Sequence, residues 1–433
     1  PPGPVMTIQD GRQSITRYWS LPYQPTLTIS EDEAVEAVDE ALDRAVQDRL
    51  VSDVPLGAFL SGGIDSGTVV AMMARHSSTP VRTFSIGFAE ERYNELPAAR
   101  LVAERYGTRH EEFVVEPDAV TLMPKLVWHY GEPYADSSAL PTFALAEMTR
   151  RHVTVALNGD GGDESFGGYT RYVASLAASR FDRVLPAALR RLPALVTGPV
   201  SYAVPTPLLR RAHRFFESFG ESSERRYASW MLHFDLQRKR AVCRPEFLET
   251  VQPDVVPQLE AIFEASSAPD FIDRMLDVDV QTYLLDDLLV KVDIATMAHS
   301  LEARSPLLDH RVMELAARLP ARYKIKDGRH KKHVLRRVAA RLLPTEILDR
   351  PKMGFGVPLD RWFQTSLQGY AREILLDERT LNRGYFKPDA IGRVLDEHAS
   401  GRMFWHYQIW NLLMLEGWFR TFIDRRPVPS DWP

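Results

Sequence analysis

Between Val54 and Leu157 the chain swings four times between a short apolar run and an amphipathic stretch, and this alternation restricts the fold more than any other feature. Val54–Leu60, Val81–Phe88, Glu111–Val115 and Val153–Leu157 read as strands. Ser66–Arg75, Leu96–Tyr106, Ala119–His129 and Thr142–Arg151 read as helices. Strands separated by helices cannot pair as hairpins, so the pattern predicts an α/β fold: a parallel sheet with right-handed crossovers and helices on both faces. A helix over Ser30–Leu50 precedes it, with Ser30 to cap it and Ala34, Val35, Val38, Ala41, Leu42, Ala45 and Val46 on one face. Beyond Tyr169 strands nearly vanish. The segments 170–190, 222–240, 257–266, 270–300, 310–319, 330–343 and 407–424 read as helices with proline punctuation. Residues 1–25 are therefore expected as strand remnants and linker, 26–175 as the α/β core, and 176–433 as a mostly helical part.

Composition narrows the partners. A net charge of −5 leaves no electrostatic footprint for nucleic acid. A single cysteine, Cys243, cannot make an internal disulfide or a cysteine-rich zinc site; it reads as a packing residue and suits a cytoplasmic location. No signal peptide is visible at the N-terminus. The longest uncharged stretch, Leu192–Leu209, holds Pro193, Pro199, Pro205, Pro207 and Gly198, which argues against a membrane span and for a helical hairpin packed on the protein.

Two loops carry the chemistry. Ser61-Gly62-Gly63-Ile64-Asp65-Ser66 lies between a predicted strand and a predicted helix. Glycines let backbone approach an anion, free amides at the helix start point at it, and the helix dipole favours negative charge there. Ser61 and Ser66 add hydroxyl donors. Asp65 would repel a phosphate unless a cation such as Mg²⁺ lay between them. The chain has no Gly-Lys dipeptide, so this is not a Walker A loop. The second loop, Asn158-Gly159-Asp160-Gly161-Gly162-Asp163-Glu164, follows the strand ending at Leu157. Carboxylates and glycines at the C-terminal end of a parallel strand suit a divalent-metal and polyphosphate site.

The first loop resembles the pyrophosphate loop of enzymes that cleave ATP between its α and β phosphates: asparagine, GMP, NAD and argininosuccinate synthetases and several tRNA-modifying enzymes. The run Gly159–Tyr169 is similar to the corresponding loop of the asparagine synthetase family in particular. So are Asp136–Thr142, Asp287–Asp293 leading into Met297–Asp309, and Arg350–Leu359; the likeness extends from about residue 25 to residue 424. It implies a pyrophosphate-loop α/β fold and an ATP-dependent, AMP-forming ligase that adenylates a carboxylate and passes ammonia or an amine to it. On this resemblance Leu60, Ser61, Gly62, Gly63, Asp65, Ser66, Ile86, Asn158 and Gly159 contact ATP, with Leu60 and Ile86 near the adenine. Asp65 and Asp163 hold Mg²⁺, while Lys352 and Asp160 are catalytic. Asp160 stands where the best-known members have glutamate, and Asn158 where serine is commoner, which leaves the acceptor open.

The resemblance further implies a class II glutaminase domain or subunit, absent from this chain, as the ammonia source; a homodimer stays open. The rivals are a relative acting on another carboxylate (a sugar acid, a peptide or a β-amino acid) and a non-catalytic nucleotide-binding subunit. The basic helix Arg329–Arg341 is expected to be mainly a solvated face, with pyrophosphate screening as the alternative. Asp277, Asp279, Asp286 and Asp287 are expected as caps and i,i+4 partners, Asp287 with Lys291 among them.

Overall fold

The computed structural model describes residues 3–424 except 89, 115–118, 185, 187–188, 191, 194, 196, 198–211, 214 and 351–355. The chain opens with a hairpin of β1 (Pro4–Gln9) and β2 (Arg12–Arg17), turned at Asp10-Gly11, both with positive φ. Helix α1 (Glu31–Arg49) follows, and Ser30 and Glu33 close a capping box at its start.

The core is a five-stranded sheet in the order β5-β4-β3-β6-β7. Its strands are β3 (Leu56–Phe59), β4 (Arg82–Gly87), β5 (Arg109–Val114), β6 (Val155–Leu157) and β7 (Glu302–Arg304), all parallel. The connections are α2 (Ile64–His76), α3 (Leu96–Tyr106), α4 (Ala119–Tyr130) and α5 (Ala139–Arg150). The expected α/β alternation is present, with one addition. Strand β7 comes from the stretch read as helical, and at three residues it is too short to carry an alternating signal. Thus the later half of the chain completes the sheet of the first.

Strand order decides where a ligand can sit. From β3 the chain moves to one side, through β4 to β5, and then returns to place β6 on the other side of β3. Loops leaving the C-terminal ends of β3 and β6 therefore diverge and open a crevice at the switch point. Those two loops are the ones singled out above. Apolar side chains of α1, α2 and α3 pack with helices His310–Arg318 and His333–Ala339 in one core cluster. A second cluster joins α4 and α5 to the helices at 359–414.

Several helices differ from expectation. The 170–190 segment is helical from Thr170 to Val184 (α7), and 222–240 is broken into Ser223–Met231 and Leu236–Val242. The break lies at Leu232, which is extended, and Asp235 caps the second piece by accepting from the Arg238 amide at 2.7 Å. The 270–300 helix runs from Phe271 to Met297 but widens to π-helical bonding over Val280–Leu289. The hairpin expected at 192–209 falls largely outside the described residues. Among the described residues no helix is long and apolar enough to cross a membrane.

Candidate functional site

Leu60, at the end of β3, donates its amide to Phe84 O at 2.9 Å and so stays on the sheet edge. The chain then turns through Gly62 at φ 70°. A Cβ there would meet Ala99 N at 2.5 Å and the Ala98 carbonyl carbon at 2.6 Å, so only glycine lets the loop lie this close to α3. The Ser61 and Ser66 hydroxyls lie 3.0 Å apart, and Ser66 Oγ also accepts from the Ser61 amide at 3.2 Å. Gly63 begins α2 with no side-chain cap, which leaves the first-turn amides facing the crevice with the positive end of the helix dipole.

The second loop is pressed against the first. A Cβ on Gly159 would meet Ser66 N at 2.8 Å and Asp65 Cβ at 2.9 Å, and one on Gly162 would meet Asp65 Oδ1 at 2.6 Å. Glycines are thus required where the loops touch. Asn158 is buried; its Oδ1 accepts from Ser305 Oγ at 2.6 Å and from the Asp160 amide at 3.3 Å. Its Nδ2 is also buried and donates to no acceptor among the described residues. A buried amide with two unspent N–H groups fits an anionic ligand oxygen. Asp163 and Glu164 begin the short helix α6 (Gly162–Phe166), and the Tyr169 hydroxyl donates to Glu164.

One ammonium joins the two loops. Lys332 Nζ lies 2.5 Å from Asp65 Oδ2 and 2.7 Å from Asp163 Oδ1, so both carboxylates face a single cation. Burial works against the charge on Lys332, but Asp163 and then Asp65 more than offset it and hold its pKa above the usual value. This corrects the expectation of a solvated basic helix over 329–341. The helix begins only at His333, because Lys332 turns left-handed (φ 51°) and sends its side chain inward. A non-glycine residue in that conformation costs about 1 kcal/mol, which the two ion pairs offset. A signal was available: Lys332 shares a helical phase with Leu335 and Ala339, which are buried. Three side chains of the segment are clamped to α1, His333 and Arg337 on Glu31 and Arg341 on Glu36 and Asp39, and Lys326 just before it joins them on Glu31; Lys331 turns to Thr170 and Arg336 to the Leu348 carbonyl.

Asp160 lies between this cluster and a second one. Burial pushes its carboxyl up to about 6; Lys291 draws it down, while Asp65 and Asp163 push it further up. The second cluster centres on Lys291, whose Nζ donates to Asp136 Oδ2 at 3.0 Å and Ser138 Oγ at 2.8 Å. Ser138 in turn donates its amide and hydroxyl to Asp136 at 2.9 and 2.7 Å. Asp287 is not the ion-pair partner of Lys291 expected from the i,i+4 spacing. It accepts from the Tyr134 hydroxyl, and Tyr134 stacks on Tyr130 with ring centroids 4.3 Å apart. Asp279 is no surface cap either: fully buried, it accepts from Arg171 at 2.5 Å, Tyr227 at 2.6 Å and Tyr172. Asp277 is buried too, accepting from Ser266 at 2.5 Å and from Gln281 at 2.9 Å.

The structure therefore brings together Ser61, Gly62, Gly63, Asp65, Ser66, Asn158, Gly159, Asp160 and Asp163. Leu60 and Ile86 lie on neighbouring strands at the same edge, with their side chains buried in different core clusters. Lys352 lies outside the described residues. Among the described residues no group of three or more metal-binding side chains is present. Magnesium is commonly held by one or two carboxylates together with the oxygens of a bound polyphosphate. Asp65 and Asp163, which already share one cation, fit that role.

The family model described as "Asparagine synthase" matches residues 37–420. Asparagine synthetase (glutamine-hydrolyzing) 1 of Bacillus subtilis (strain 168) is 32% identical over 432 residues, covering 99% of this chain and 66% of its own length. A protein of Mycobacterium tuberculosis (strain ATCC 25618 / H37Rv), provisionally named asparagine synthetase (glutamine-hydrolyzing), is 36% identical over 425 residues, covering 96% of this chain and 62% of its own. The chain spans less than two thirds of either relative. With the family model spanning most of the chain and both characteristic loops meeting in one crevice, this chain belongs to the asparagine synthase family.

Proposed function

We propose that this chain is the synthetase part of an ATP-dependent, amide-forming ligase. A carboxylate oxygen of the acceptor attacks the α-phosphorus of ATP, the bond to the α–β bridging oxygen breaks, and pyrophosphate leaves. The product is an acyl-adenylate, whose carbonyl carbon has AMP as a good leaving group. Ammonia or an amine then attacks that carbon, AMP departs, and the nitrogen gives up its proton.

The observation that carries this reading is the meeting of Asp65 and Asp163 across Lys332, beside a buried and unspent Asn158 Nδ2. Magnesium bound by the two carboxylates would neutralise charge on the pyrophosphate leaving group. The uncapped amides of α2, the Ser61 and Ser66 hydroxyls and the Lys332 ammonium hold the same oxygens in place, preorganised against the charge that develops as the bond breaks. Asn158 Nδ2 donates to an α-phosphate oxygen. Asp160, with a pKa near 6, is ionised at neutral pH and takes the proton from the attacking amine. Lys352 is assigned a catalytic role on the family resemblance alone. Ammonia comes from a glutaminase domain or subunit, in keeping with the names of the two relatives.

The test is a product assay. The chain is supplied with ATP, magnesium, ammonium and a panel of carboxylic acids. AMP and pyrophosphate should form in equal amounts, dependent on the acid. ADP and phosphate would rule out attack at the α-phosphorus.

A further inference from the structure

Strand β7 does more than widen the sheet. Its ladder with β6 pairs Leu157 with Arg304 and continues one step into the acidic loop, where the Asn158 amide donates to Arg304 O at 2.9 Å. The next residue after β7, Ser305, therefore arrives beside Asn158. Ser305 stands at the N-cap of the turn Pro306–Leu308, a position where a serine hydroxyl ordinarily accepts from a backbone amide. It makes no such cap here, and donates instead to Asn158 Oδ1 at 2.6 Å. The Asp160 amide donates to the same oxygen at 3.3 Å. A backbone N–H cannot accept, so it fixes which end of the Asn158 amide is the oxygen. With Oδ1 held by two donors, the orientation of Nδ2 is set as well. Asn158 is only 5% exposed, and burying an unpaired amide N–H is costly unless a ligand takes it. The same turn seats the far side of the loop: a Cβ on Gly161, at φ 94°, would meet Leu308 Cγ at 2.7 Å.

We propose that Ser305 is a positioning residue for the nucleotide: it locks the Asn158 side chain with Nδ2, and not Oδ1, presented to the α-phosphate. This deepens the synthetase reading and rests on it. An asparagine amide without such partners turns about χ2 at little cost and offers an oxygen as readily as a nitrogen. An oxygen turned toward the α-phosphate would repel it, in a crevice that already holds Asp65, Asp160 and Asp163. Ser305 removes that alternative before ATP arrives, so less ordering is left to the moment of binding. The group this arrangement selects is an oxyanion at the α position of a nucleotide. The β and γ phosphates are left to the α2 amides and Lys332. The role also gives strand β7 a purpose, since the end of that strand delivers the Ser305 hydroxyl.

The test measures the affinity of the whole chain for magnesium ATP and for magnesium pyrophosphate by calorimetry, with no acid present, beside AMP formation by wild type. Asn158→Ala should weaken ATP binding about tenfold or more, the loss of a hydrogen bond to a charged group, and Ser305→Ala about fivefold. Both should leave pyrophosphate binding within about twofold, because pyrophosphate carries no α-phosphate. In the Asn158→Ala background, Ser305→Ala should add less than about twofold, since Ser305 acts only through Asn158. Asn158→Asp accepts the same two hydrogen bonds but has no N–H to donate, and it gives a second background for the cycle if the alanine variant does not fold. An unchanged ATP affinity in Ser305→Ala overturns the proposal, as does an equal loss for pyrophosphate or a loss that persists when Asn158 is replaced. If any of these occurs while wild type forms AMP, the positioning role falls and the synthetase reading stands. If wild type binds ATP and no acid yields AMP, the synthetase reading falls, and the two affinities still decide the role of Ser305.

Discussion

The sheet edge and the helical remainder contribute opposite charges to the same crevice. Loops after β3 and β6 supply glycines, amides and the carboxylates Asp65, Asp160 and Asp163. The cations that balance them come from far along the chain: Lys332 is 267 residues from Asp65, and Lys291 is 155 from Asp136. Three carboxylates in one crevice repel one another, and at Asp160 that repulsion adds to burial, the larger cause, in raising its pKa. Such a site forms only if cations close over it. The helical part therefore does more than cover the sheet. It supplies the charge without which the loops could not approach, and so ties folding of the second half to assembly of the site.

The largest effect should come from breaking the carboxylate pair. Asp65→Asn or Asp163→Asn should lower acid-dependent AMP formation by about 10³-fold or more, and Lys332→Met by about 10²–10³-fold, the usual loss when a preorganised charge stabiliser is removed. Stability should move differently. Lys332→Met leaves two partly buried carboxylates without their shared cation and should cost about 1–3 kcal/mol. Adding Asp65→Asn to it should return part of that stability with no gain in activity. A denaturant midpoint for each corner of this double-mutant cycle separates the two roles, and strict additivity would show that the residues are not coupled.

Next is Asp160. Its raised pKa means the fold disfavours the ionised form, so Asp160→Asn should melt higher than wild type while amide formation falls about 10²-fold. In wild type the amide-forming step should rise as pH increases through about 6, where Asp160 loses its proton, and Asp160→Asn should lack that rise. Stability should run the other way: a carboxylate with a raised pKa contributes most when protonated, and that contribution is lost as pH climbs through the same range. A flat pH profile for wild type would remove Asp160 from proton transfer.

How much of this was legible follows from where each signal lies in the chain. The loops at 61–66 and 158–164 are contiguous, and glycine, serine and aspartate at a strand's end have few other uses. Lys332, Lys291 and Asp279 stand singly among ordinary helical residues, and their partners are set by tertiary contacts. Charge alone suggested surface for all three; only helical phase could have placed Lys332 with Leu335 and Ala339. Strand β7 was hidden by its length, and its place in the sheet depends on the edge β6 offers. Asp279 tests the distinction between buried charge that acts and buried charge that holds. Asp279→Ala should cost about 3–5 kcal/mol by stranding Arg171 and its tyrosine neighbours, yet leave the KM for ATP of the folded fraction unchanged.

The smallest effect concerns how the cation is delivered. Lys332 precedes the helix His333–Ala339, and the start of that helix is pinned to α1 through Glu31, which takes His333 Nε2 at 2.8 Å and Arg337 Nη1 at 3.0 Å. The hydrogen bond from His333, with help from Lys326, holds the Glu31 carboxyl down at about 2 against the opposing effect of burial. A depressed carboxylate pKa gives stability that is present above the ordinary value and disappears as pH falls toward 2. Because Glu31 is only partly buried, solvent screening limits its stability contribution to about 1 kcal/mol or less. The functional consequence is separable from that small number. Without the clamp, the left-handed turn at Lys332 has less to hold it, and the ammonium spends less time between Asp65 and Asp163. Glu31→Ala should therefore raise the KM for ATP about threefold with little change in the KM for the acceptor, and 0.5 M salt should produce part of the same change in wild type by screening the clamp. Equal shifts in both KM values would mean that the clamp supports the fold in general and does not position Lys332.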